Sequence, residues 1–198
     1  MSALYPSVDE ALAFLDRRRS VPSKQLSAPG PDAPILLRML QAASRVPDHG
    51  KLVPFRFIHI HGDARLRLGD QLAELSRQRD ADAGEAAIEK DRMRFAHAPD
   101  IITVVARLTP GHKVPEQEQL LTAGSVCFAL LQAAQALGFG AQWLTAWMAY
   151  DPTVARWLGL GDNERVAGFI HIGTARMEAP ERERPDAAAL LSEWQPHD

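Results

Sequence analysis

Arg17, Arg18, Arg19 and Ser20 follow one another in this chain, and their types could do chemistry together. Guanidinium groups beside a hydroxyl offer charge-assisted, bidentate hydrogen bonds to a dianion such as a phosphate. Arginines that end a helix also complement its dipole with no ligand present, and on these residues alone that plainer account carries more weight. A second polar concentration is RVPDHGKLVPFRF, residues 45–57, which sets Arg45, Asp48, His49 and Lys51 within seven residues. Pro47 and Pro54 bracket it and Asp48 and Gly50 form turns, so His49 is expected on a short, stiff corner. A solvated turn would account for the same residues. His59 and His61, two apart on an expected strand, share a face and could ligate a metal, but Asp63 is the only acid close by. GFGAQWLT, residues 138–145, places its glycines after a helix and before a strand, the reverse of a dinucleotide-binding turn. Its Trp143 and Thr145 could line a flat aromatic ligand, or the tryptophan could be core. Arg182 and Arg184 lie in ERERPD, a charged tail of the kind that is usually solvated. Cys127 sits in an apolar helical stretch and is expected to be a small buried hydrophobe. No Ser/His/Asp elbow, phosphate-binding loop or paired-cysteine zinc pattern occurs.

Positioning these groups falls to elements that the patterning makes visible. Ser7 and Glu10 have capping-box spacing and start a helix over 8–18. Asp32 caps a second helix that runs to Val46, with Ile35, Leu36, Met39, Leu40 and Ala43 on one stripe. Strands are expected at 55–60, 101–106, 139–144 and 165–173, the second of them a β-branched run typical of burial on both faces. Helices are expected at 63–79, at 84–95 in a charged stretch that looks mobile, and from Asp151-Pro152 to Leu158. The longest helix, from Pro115 to Leu137, is apolar nearly all round in its second half, which suits a domain centre or a large subunit interface. The result is a single α+β domain over 1–198, with a length of 198 residues sufficient for a sizeable core.

A net charge of −3 argues against a general nucleic-acid binder. One cysteine excludes an internal disulfide framework and fits a cytoplasmic location, and neither a signal-peptide run nor a membrane-length apolar segment is apparent.

Taken in order, RRRS, RVPDHGKLVPFRF, HKVPEQEQ (112–119), TAGSVCFALLQAAQALGFGAQWLT (122–145) and GFIHIGT (168–174) resemble the nitroreductase family, in its compact short-chain branch. The resemblance implies a nitroreductase-like fold, a small central, mostly antiparallel β-sheet wrapped by helices, built as an intertwined homodimer with FMN at the subunit interface. It implies that Arg18, Arg19 and Ser20 contact the FMN phosphate and ribityl chain, with Arg182 and Arg184 as further phosphate contacts. Arg45 and His49 would reach the partner subunit's FMN. Trp143, Leu144 and Thr145 would lie along the isoalloxazine, and Ala133, Ala134, Gln135, Ala136, Leu137 and Gly138 would meet the nicotinamide nucleotide. The implied activity moves hydride from NADH or NADPH through flavin N5 to a nitroaromatic, quinone or related acceptor in a ping-pong cycle. A catalytic acid or base is not required for the hydride step, and no metal is expected. The family block usually reads Trp-Arg-Ser/Thr-Gly, whereas this chain has Trp143-Leu144-Thr145-Ala146. A flavin carrier or sensor without reductase turnover is the alternative that this departure leaves open.

Overall fold

A computed structural model describes residues 7–196. Helix α1 (Val8–Asp16) opens on the expected capping box: Ser7 Oγ accepts from Glu10 N at 3.3 Å and the Glu10 carboxylate accepts from Ser7 N at 3.0 Å. It ends two residues earlier than the sequence suggests, so Arg18 and Arg19 lie beyond its last turn. A two-residue strand, β1 (Leu26–Ser27), follows inside the Pro-rich loop, where no pattern announced it. Helix α2 (Ala33–Ala43) is capped by Asp32, whose Oδ1 accepts from Ile35 N at 2.8 Å. It stops short of Val46 because Pro47 disfavours helical backbone in the residue before it.

Then come β2 (Phe55–His61), α3 (Asp63–Arg79), α4 (Glu85–Arg92) with a 3-10 turn at 93–95, and β3 (Asp100–Arg107). The α4 segment is anchored, contrary to the expected mobility: Ile88, Asp91 and Phe95 are all buried. Helix α5 (Glu116–Ala136) leads through Gly138, at φ +82°, into β4 (Gly140–Leu144). Helix α6 (Pro152–Trp157), the long strand β5 (Glu164–Ala175) and the short α7 (Ala187–Leu190) complete the described residues.

Every pairing in the sheet is antiparallel. The order is β1-β5-β3-β2, and β4 also pairs with β5. Strand alternation sends the two faces into separate cores. Ile102, Val104, Ile170 and Ile172 pack against α2 and α5, around Met39, Val126 and Leu130. Ile101, Phe169 and Val166 face the other way, onto Leu72, Phe95 and Met148. No helix of the described residues is long and apolar enough to cross a membrane.

Candidate functional site

The arginines after α1 gather with those of the tail. Arg18 Nη1 donates to Ser20 Oγ at 3.4 Å. Arg19 donates to the carbonyls of Asp16 and Arg18 and pairs with Glu181, and Glu181 also receives Arg184 at 3.1 Å. The pKa of Arg18 is lowered, first by burial and then by the charges of Arg184, Arg19 and Arg182. Glu181 offsets part of this crowding, Asp16 lines the same cavity, and a bound dianion would relieve it further. A cavity of about 470 Å3 lies against Arg18, Arg19 and Arg184. The tail is exposed along residues 181–190, and its arginines share the locality of RRRS. By the chemistry of its donors, this set suits a phosphate.

A second cavity, of about 490 Å3, runs from Arg19 to the end of α5, along Gln135, Ala136 and Gly138. Gln135 Nε2 donates to Phe14 O at 2.9 Å and ties α1 to that end. Ala133 and Ala134 are buried in the core, so of the six nicotinamide candidates only residues 135–138 are accessible there.

Trp143, Leu144 and Thr145 stand at the end of β4, and alternation turns the first two to opposite faces. The Trp143 indole lies across β5 toward α5, with Nε1 donating to Ala167 O at 3.2 Å. Gly168 is what admits it, since a Cβ there would collide with the indole ring. Leu144 instead walls a chamber of about 400 Å3 together with Lys24, Lys90, His97 and Met148. Sequence reasoning missed this chamber, because its cations come from the Pro-rich loop and from the charged helix α4, neither of which shows a motif. Beneath it, burial opposes ionisation of Asp91, but hydrogen bonds from Arg94, Ser76 and Trp147 outweigh burial and hold the carboxyl below its ordinary range.

The corner carrying Arg45 and His49 is elsewhere. His49 Nδ1 lies 2.7 Å from Glu118 Oε2, and Thr122 Oγ1 donates to Pro47 O at 3.2 Å, so the corner rests on the first turns of α5. Asp48 fixes it by accepting from Leu52 N at 3.1 Å and Val53 N at 2.8 Å. Gly50, Lys51 and Val53 all take positive φ. Gln135, which holds the arginine end, is 17 residues along α5 from Glu118, or about 25 Å at helical rise. Within one chain the structure does not bring Arg45 and His49 to Arg18, Arg19 and Ser20.

Other candidates resolve simply. His59 Nε2 lies 2.8 Å from Asp100 Oδ1 and its ring stacks on His61 at 4.2 Å. No group of three or more His, Cys, Asp or Glu among the described residues is placed to hold a metal. Burial pushes the Cys127 thiol up to about 12, which leaves it protonated and unreactive.

An antiparallel sheet between two helical layers, with a cationic pocket at one end of its central helix and a polar corner at the other, defines an α+β protein equipped for a phosphate-bearing ligand. The chain belongs to the nitroreductase family, whose model matches residues 15–174. It is 35% identical over 170 residues to "Putative NAD(P)H nitroreductase YdjA" of Escherichia coli K12, covering 86% of this chain and 91% of that protein. Among solved structures it resembles a nitroreductase-like family protein from Bacillus cereus, with TM-score 0.77, 21% identity and 98% coverage of both chains. It also resembles a nitroreductase with bound FMN from Bacteroides fragilis, with TM-score 0.70 and 19% identity, over 94% of this chain and 99% of that one.

Proposed function

We propose that this chain is an NAD(P)H-dependent, FMN-dependent oxidoreductase of nitroreductase type, acting as a homodimer on a nitroaromatic, quinone or related small acceptor. The observation that carries the reading is the clustering of Arg18, Arg19, Arg182 and Arg184, of which only Arg19 and Arg184 share the Glu181 carboxylate. Crowded guanidinium groups of this kind are complementary to the phosphate dianion of FMN, and Ser20 adds a hydroxyl. Family membership, the name of the Escherichia coli relative and the FMN in the Bacteroides fragilis structure support the same cofactors.

When bound, FMN supplies the relay of hydride between NAD(P)H and the acceptor. The residues of this chain bind and orient. Arg18, Arg19, Ser20, Arg182 and Arg184 hold the phosphate end, and Leu144 and Thr145 border the ring. The open end of α5, residues 135–138, meets the nicotinamide nucleotide. Arg45 and His49 are presented to the partner subunit's flavin, which gives the distant corner its use.

Unpartnered apolar surface supports the dimer. Helix α1 buries none of its residues and exposes Val8, Leu12 and Leu15, while α5 exposes Leu121 and Phe128. Apolar helix faces left open in one chain are suited to burial against a second. The purified protein is expected to be yellow, and anaerobic NADH or NADPH is expected to bleach its flavin absorbance. A protein that stays colourless after FMN is added would refute the proposal. Flavin that binds but resists bleaching would favour a carrier.

A further inference from the structure

We infer that the chamber beside Leu144 selects a flat aromatic acceptor that carries an anionic group, with Lys24 and Lys90 recognising its charge. The inference rests on the reductase reading above and adds to it the class of acceptor. The chamber holds about 400 Å3 and is apolar on one side, where Ala86, Met93, Leu144 and Met148 meet. Such a wall suits the face of a ring.

The other side is cationic, and its charge is not spent within the chain. Glu89, the only carboxylate on the wall, is held by Arg92 at 3.1 Å. Arg94 is held by Asp91. Lys24 and Lys90, both exposed to solvent, line the chamber and have no hydrogen-bond or ion-pair partner among the described residues. His97 registers the charge of Lys24: burial lowers its pKa first, and the charges of Lys24 and Arg176 lower it further. A family arginine at position 144 would have added another charge on the apolar wall, and Leu144 removes it. Ring and charge are thereby recognised on separate sides. A carboxylate on the ring pairs with the ammonium groups, a neutral ring leaves them unpaired, and a cationic ring is repelled.

The test is calorimetric titration of the FMN-loaded protein with benzoate and with benzamide, its neutral near-isostere, at low salt. Wild type and the Lys24→Gln/Lys90→Gln double variant are compared. Benzoate is expected to bind about tenfold more tightly than benzamide to the wild type, the scale of a charge-assisted contact. The double variant is expected to keep its flavin and bind the two equally. Equal binding to the wild type, or a benzoate preference that survives in the variant, overturns the inference. Loss of flavin from the variant assigns the lysines to the cofactor and overturns it as well. If the wild type takes up no FMN, the reductase reading fails instead, and the same two titrations on that protein still decide the chamber.

Discussion

Ala146 follows Thr145 with φ 60° and ψ −176°, a backbone region occupied almost solely by glycine. Nitroreductases usually carry glycine at this point of the block, and alanine here keeps the glycine conformation at a cost of about 1–3 kcal/mol. The strain lies beside the segment assigned to the flavin ring, where it fixes how the chain leaves β4. Ala146→Gly removes the clash without asking the backbone to move, although glycine also gains freedom when unfolded. The net expectation is a stability gain of about 1 kcal/mol, read as a higher denaturant midpoint with an unchanged slope. Lys51 and Val53 repeat the pattern at the other polar segment, with φ 55° and 49°. Valine at positive φ is unusual, and here the two bonds accepted by Asp48 hold it in place.

Strand β5 organises the fold, since β1, β3 and β4 all pair with it. Its centre carries an anomaly. His171 is fully buried on the face toward Phe95, its ring parallel to that phenyl at 5.7 Å, and neither ring nitrogen has a hydrogen-bond partner among the described residues. Burial, followed by the nearby His97, lowers its pKa to about 4 from the ordinary 6.5. A histidine with a depressed folded pKa leaves stability intact above 6.5, and stability is lost as pH falls from 6.5 toward 4. The loss amounts to about 3 kcal/mol. Denaturation midpoints measured between pH 8 and pH 4 should show that decline in the wild type. His171→Phe should flatten this part of the profile and be no less stable at pH 7, because two unsatisfied nitrogens leave the core.

The elements themselves were legible because their signals are local: one capping box, aspartate caps, β-branched runs and the apolar length of α5. What stayed hidden depends on contacts distant in sequence. Strand β1 forms only because Leu26 and Ser27 meet Ala175 and Thr174. Lys24, Lys90 and His97 converge only once α4 is docked. Arg182 and Arg184 read by composition as a solvated charge run, and only the family resemblance singles them out; the fold returns them to the neighbourhood of Arg18 and Arg19. The opposite directions of Trp143 and Leu144 follow from strand periodicity, but the chamber that Leu144 faces does not.

At the scale of the whole molecule, the length of α5 governs the site. One end holds the arginine pocket and the other the corner of Arg45 and His49, with about 25 Å between them. A two-fold axis across α5 would bring the pocket of one protomer to the corner of its partner, so each flavin would draw on two chains. This geometry permits genetic complementation between two defective proteins. Arg19→Ala and Arg45→Ala, each prepared alone, should hold flavin weakly at both sites of their dimers. Unfolded together and refolded as a mixture, they would form heterodimers in which one site carries both lesions and the other carries neither. Random pairing would then restore about a quarter of all sites, a fraction set by two-fold symmetry alone. Flavin retained after gel filtration measures it. A mixture no better than its two components would show that each chain builds its flavin site by itself.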